Sequence, residues 1–132
     1  MLAITAFYAS FLAILYIVLS ARVILMRREA RVELGDGSNR ELLRRIRIHA
    51  NFAEYVPFAL LLMALAESLA PPRPLIHLAG VLLLVGRLLH AWGVSGGLRR
   101  VRFRVYGMML TLGSIAISAL TCLPLAAFLV AV

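Results

Sequence analysis

The chain has 132 residues, 63% of them hydrophobic, and a mean hydropathy of +0.96. A soluble domain carries about 45–50% apolar residues and a disordered one fewer, so both classes are excluded. Fourteen arginines against six acidic residues give a formal net charge of +8, but the arginines bracket long apolar runs and form no single basic face, which speaks for topology marking and anion binding over nucleic-acid binding.

The length predicts one domain, residues 1–132, and the apolar runs predict an all-α integral membrane protein built as a four-helix bundle. The run Leu2 to Leu19 is uncharged, and Arg22 follows. No basic residue precedes it and no small-residue cleavage site follows, so it reads as a first span, about 2–26, and not as a signal peptide. The segment Arg27 to Arg47 is dense in charge, and Gly35-Asp36-Gly37-Ser38 reads as a turn with Ser38 or Asn39 capping the next helix. The apolar stretch from Phe52 to Ala66 is interrupted by Glu54 and short for a span, so the second helix is placed at about 41–70, carrying its arginines up from the aqueous side. Pro71-Pro72-Arg73-Pro74 ends it. A third span, about 74–93, contains Arg87 and His90, and Ser95-Gly96-Gly97 makes a turn. Arg99, Arg100, Arg102 and Arg104 precede an uncharged stretch, Val105 to Val132, that forms the fourth span, about 104–131. The first and third loops hold nearly all the interhelical arginines and the second only Arg73, so the positive-inside rule puts loops one and three in the cytoplasm and both termini on the far side.

An ionisable group at the centre of a membrane helix costs about 2.5–3.5 kcal/mol, and such groups usually face the bundle interior with a partner. At about 100° per residue, Arg47, Asn51 and Glu54 share one face of the second helix; Tyr55 lies about 80° round from Arg47, and His49 points to the opposite side. Pro57 lacks an N–H, which frees the carbonyl of Ala53 and permits a bend. The stripe reads either as a ligand site or as one half of a structural ion pair, Glu54 with Arg87 or with Arg47. Arg87 and His90, three residues apart, can face one partner; the simpler reading of each is snorkelling toward the interface. His77 reads as interfacial, Glu67 as solvated, Cys122 as an inert buried thiol, and Met108 and Met109 as packing residues. Gly107, Gly113, Ser114 and Ser118 give the fourth helix small positions for close packing. A single cysteine and three scattered histidines form no recognisable metal site, and no hydrolase, kinase or dinucleotide motif is present.

The run Arg47-Ile-His49-Ala-Asn51-Phe-Ala-Glu54-Tyr55-Val-Pro57 resembles the second-helix signature of the MAPEG family, the membrane-associated proteins in eicosanoid and glutathione metabolism. That signature reads approximately Arg-x-His/Gln-x-Asn-x-x-Glu-x-x-Pro, and every fixed position is met. Gly35-Asp36-Gly37 and Gly86-Arg87-Leu88-Leu89-His90 are similar to small bacterial members, and the resemblance runs over essentially the whole chain. It implies a homotrimer in the bacterial inner membrane, with glutathione as co-substrate bound between neighbouring subunits near the cytoplasmic side. Carried over by resemblance, Arg47, Asn51, Glu54 and Tyr55 contact glutathione: the guanidinium suits a carboxylate, Glu54 the ammonium, and Asn51 and Tyr55 neutral hydrogen bonds. Arg87 matches a family arginine assigned to support or binding, and His90 falls where relatives place Tyr or His. The catalytic arginine that holds the thiolate matches Arg102 best, since Tyr106 follows four residues later; Arg99 and Arg104 stay open, and Arg22 or Arg27 can reach in from a neighbouring first helix. Several eukaryotic members carry a tyrosine where this chain has Val94.

The resemblance thus implies a glutathione transferase or peroxidase acting on lipophilic electrophiles or lipid hydroperoxides that enter from the membrane lipids. The alternative is a non-catalytic binder of lipid or metabolite on the same fold. A four-helix multidrug transporter is disfavoured, because such proteins resemble one another in carrying a glutamate in the first helix and Leu2 to Leu19 has none.

Overall fold

The computed structural model describes residues 1–95 and 101–131. The turn expected at Gly96-Gly97 and the arginines Arg99 and Arg100 lie outside the described residues. Four helices follow in order: α1 (Ala3–Ala30), α2 (Arg40–Ser68), α3 (Arg73–Ser95) and α4 (Val101–Ala131). All four are long and apolar enough to cross a membrane, and the described residues contain no strand.

Local chemistry sets the helix ends. α1 stops at Arg31, whose left-handed backbone (φ 54°) lets the N–H groups of Arg31 and Val32 return to the carbonyls of Arg28 and Arg27. α2 starts at Asn39, whose Oδ1 accepts from the backbone N–H of Glu41 and of Leu42, each at 3.0 Å. Of the two caps the sequence allowed, the structure uses Asn39. α2 continues through Pro57 and ends before the proline run, where α3 begins.

The helices run up and down, so one end of the bundle gathers the α1–α2 connection, the α3 C-terminus and the α4 N-terminus. The chain N-terminus and the α2–α3 connection share the other end. A hydrogen-bonded pair proves the latter: Glu67 Oε1 and Oε2 accept from the N–H groups of Ile4 and Thr5 at 2.9 and 2.8 Å. Leu2, the N-cap of α1, supplies no side-chain acceptor, so a carboxylate from α2 satisfies the first turn of α1 in its place. The expectation that Glu67 is simply solvated is therefore corrected. At the same end the Tyr8 hydroxyl and His77 Nδ1 are 3.2 Å apart, with His77 exposed.

Two apolar clusters fill the interior. One joins Leu12 and Leu19 of α1 to Ile48, Phe52, Val56 and Ala59 of α2 and Leu83 and Ala91 of α3. The other joins Tyr8, Met63, Ala66, Ile76 and Ala79, with Cys122 packed against it. α3 and α4 form the most extensive interface, and α1 and α4 do not meet among the described residues. Between apolar helices in lipid there is little hydrophobic drive, so close packing and interhelical hydrogen bonds carry the association. The α3–α4 contact shows both. Ser114 Oγ donates to the Ala79 carbonyl at 2.7 Å. Gly107 lies so near α3 that a Cβ there would meet the backbone of His90, and a Cβ on Gly93 would meet the backbone of Arg104. Ser114 and Ser118 are buried as expected; Gly113 is not a close-packing position, its nearest neighbour being Leu82 Cδ1 at 3.9 Å.

Candidate functional site

The α2 stripe faces a cavity of about 460 Å³ at the arginine-rich end of the bundle, within the range of about 300–1,000 Å³ usual for small-molecule sites. α2 supplies Arg47, Ala50, Asn51 and Glu54, α3 supplies His90 and Val94, and α4 supplies Arg104. The i, i+4, i+7 spacing puts the three polar α2 residues on one face, and the glycine contacts at Gly93 and Gly107 bring α4 close enough for Arg104 to join them. His49 points away, toward α1, with its Nε2 at 3.0 Å from Ser20 Oγ and its ring on Tyr16.

Neither α3 residue snorkels. Arg87 is 1% exposed and His90 7%. The guanidinium of Arg87 lies behind Asn51: Nη1 donates to Asn51 Oδ1 at 2.9 Å and to its backbone carbonyl at 3.3 Å. Nη2 reaches Met108 Sδ at 3.4 Å, the Tyr55 ring centroid sits 5.9 Å from Cζ, and Nε has no partner. Because Arg87 can only donate, it fixes the Asn51 amide with oxygen toward α3. The Asn51 NH₂ is left as a donor for the cavity.

The ion pair considered for Glu54 does not form. Among the described residues neither Glu54 nor Arg47 has an ion-pair partner; the pairs present join Glu41 to Arg44 and Arg45. The cavity therefore presents two guanidiniums, an amide, an imidazole and one carboxylate, all uncommitted to each other by ion pairing. Tyr55 and Arg87 stand behind the lining. Arg102 and Arg104 are both exposed, and of the two Arg104 lines this cavity and Arg102 does not. Arg27 is engaged in its own connection, donating to the carbonyls of Glu33 and Gly35. Met108, a packing residue by its sequence, accepts from Arg87; its position one turn before Leu112 on an apolar helix carries no signal for that role.

A bundle of four spanning helices with a charged, amide-containing cavity among its α2, α3 and α4 faces defines an integral membrane protein with an intramembrane polar site. The sequence profile of the MAPEG family matches residues 5–124. The inner membrane protein YecN of Escherichia coli strain K12 is 39% identical over 108 residues, covering 82% of this chain and 81% of that protein. YecN of Escherichia coli O6:H1 matches with the same figures. The chain belongs to the MAPEG family.

Proposed function

We propose that the protein is a glutathione-dependent enzyme of the bacterial inner membrane, a transferase or peroxidase for lipophilic electrophiles or lipid hydroperoxides, acting as a homotrimer. The observation that carries this reading is the charge pattern of the α2–α3–α4 cavity. Glutathione bears two carboxylates, one ammonium and a thiol. Arg47 and Arg104 complement the carboxylates or the thiolate, Glu54 the ammonium, and the Asn51 amide a carbonyl or carboxylate oxygen. A buried cation without a carboxylate partner, Arg87, adds positive potential behind the same wall. Exposure of Arg47 and Glu54 on the bundle surface supports a site completed by a neighbouring copy. The arginine-rich end faces the cytoplasm by the positive-inside rule, and the inner-membrane name of the relatives agrees with the compartment.

A guanidinium beside the sulfur favours thiolate over thiol and so raises nucleophilicity at neutral pH. The resemblance favours Arg102 for this role. The geometry within one protomer favours Arg104, which lines the cavity, and leaves Arg102 to act across a subunit boundary. The thiolate absorbs in the ultraviolet, so a difference spectrum of detergent-purified protein with glutathione tests the proposal. A thiolate band in the wild type, lost in Arg104→Ala with glutathione still bound, supports it and assigns the sulfur contact. Loss in Arg102→Ala alone moves the contact to the neighbouring subunit. No band and no glutathione binding in the wild type refutes the enzyme reading and favours a non-catalytic binder of lipid or metabolite. Val94 in the cavity wall, where related enzymes place a tyrosine, is the one observation on that side.

A further inference from the structure

A second pocket, of about 380 Å³, lies at the C-terminal end of α1, apart from the cavity above, and is lined by Ile24, Arg27, Arg28, Arg31, Val32 and Glu33. Three features of it point to one ligand chemistry. Ile17, Ile24 and Arg28 fall at spacings of seven and four, a single face of α1 at the 3.6-residue period, and Arg31, at the left-handed end of that helix, lines the same pocket. The apolar members of that face are open to lipid, Ile17 at 65% and Ile24 at 51% exposure. The face therefore changes from apolar to cationic character within about one helical turn, ~5.4 Å, as an acyl chain and its phosphate require.

The charges on the pocket are also uncommitted. Arg27 is used internally: its Nη1 holds the carbonyls of Glu33 at 3.3 Å and Gly35 at 2.9 Å, which folds the connection over the helix end and makes the surface concave. The side chains of Arg28, Arg31 and Glu33 have no hydrogen bond or ion pair among the described residues, although they share one pocket. Two free guanidiniums complement a phosphate diester. The free carboxylate of Glu33 disfavours a polyanion and complements an ammonium group close to that phosphate.

We propose that this pocket docks the phosphoethanolamine headgroup of a membrane phospholipid. The phosphate lies on Arg28 and Arg31, the ammonium on Glu33, and the acyl chains run along Ile24 and Ile17. None of the three residues that would hold the headgroup, Arg28, Arg31 and Glu33, lines the α2–α3–α4 cavity of the same protomer.

Native mass spectrometry of the full chain, reconstituted in equal parts phosphatidylethanolamine, phosphatidylglycerol and phosphatidylcholine, tests it. One phosphatidylethanolamine retained per chain, in preference to the other two, is expected. Phosphatidylcholine carries the same charges without N–H donors, so it separates recognition of the ammonium from simple attraction. Each of Arg28→Gln and Arg31→Gln should lower occupancy about fivefold, and Glu33→Gln should transfer the preference to phosphatidylglycerol. All three side chains are exposed, so the variants should keep the wild-type melting temperature, checked in parallel. Unchanged occupancy in the Arg28→Gln/Arg31→Gln double variant, or unchanged preference in Glu33→Gln, would overturn the proposal.

Discussion

Replacing Gly107 by alanine should separate packing from propensity in this bundle. A Cβ on Gly107 would come to 2.5 Å from His90 N, 2.6 Å from Gly86 O and 2.8 Å from His90 Cα. All three are backbone atoms of α3, so no side-chain rotation relieves the contact. Ordinary contact begins near 3.4 Å, which leaves α4 about 0.9 Å to move. Overpacking of this kind costs about 1–3 kcal/mol. Gly113, six residues on along the same helix, is the internal control: its nearest neighbour would be Leu82 Cδ1 at 3.9 Å. Gly113→Ala should be neutral or stabilise by up to about 0.5–1 kcal/mol through helix propensity. Unfolding of both variants in mixed detergent micelles gives the two values. The displacement should also reach the site, because Arg104 lies one turn before Gly107. Geometric errors of about 1 Å can cost a hundredfold in rate, so a loss of that order in glutathione turnover is expected for Gly107→Ala and none for Gly113→Ala. Equal stability of the two variants would refute the close α3–α4 approach. A destabilised Gly107→Ala with full glutathione binding and turnover would refute the coupling of that approach to the cavity.

Three further outcomes follow from the same geometry. Glu67→Ala removes both acceptors from the start of α1 and should cost about 1–2 kcal/mol, with amide exchange accelerated at Ile4 and Thr5 and glutathione binding unaffected at the far end of the bundle. Arg87→Met removes a buried cation that lacks a carboxylate partner; stability should stay level or rise, while glutathione affinity, read by calorimetry, falls because Asn51 loses its orientation. Ser114→Ala deletes the 2.7 Å bond to the Ala79 carbonyl and should cost about 0.6 kcal/mol, the usual value for such a bond between membrane helices, measured by the same micelle unfolding.

Much of the molecule was legible in one dimension. Two spans follow from uncharged runs, Leu2 to Leu19 and Val105 to Val132, and two from apolar runs interrupted by a few ionisable groups, because backbone groups in lipid must be satisfied within each helix. The face shared by Arg47, Asn51 and Glu54 follows from helical period alone, since the side chains of residues three and four apart stack on one side. The proline run fixes the end of α2 and the asparagine its start for equally local reasons.

What the tertiary structure decided are the pairings across helices. Glu67 reads as a solvated carboxylate until α1 is placed beside it, sixty-three residues away from Ile4 in sequence. Arg87 has two candidate destinations by period, an acid within the bundle or the interface. The fold gives it a third: the amide and carbonyl of Asn51, with Met108 and the Tyr55 ring filling the remaining approach. Arg102 and Arg104 differ by two residues, about 200° on a helix, and nothing in the sequence says which faces the α2 stripe. The approach of α4 to α3 at Gly93 and Gly107 makes that choice and puts Arg104 on the cavity wall. Span and face depend on hydrogen bonding and periodicity within one segment, which the sequence carries whole. The composition of the cavity depends on the rotation of one helix against another, set by backbone contacts between glycines that only the assembled bundle brings together.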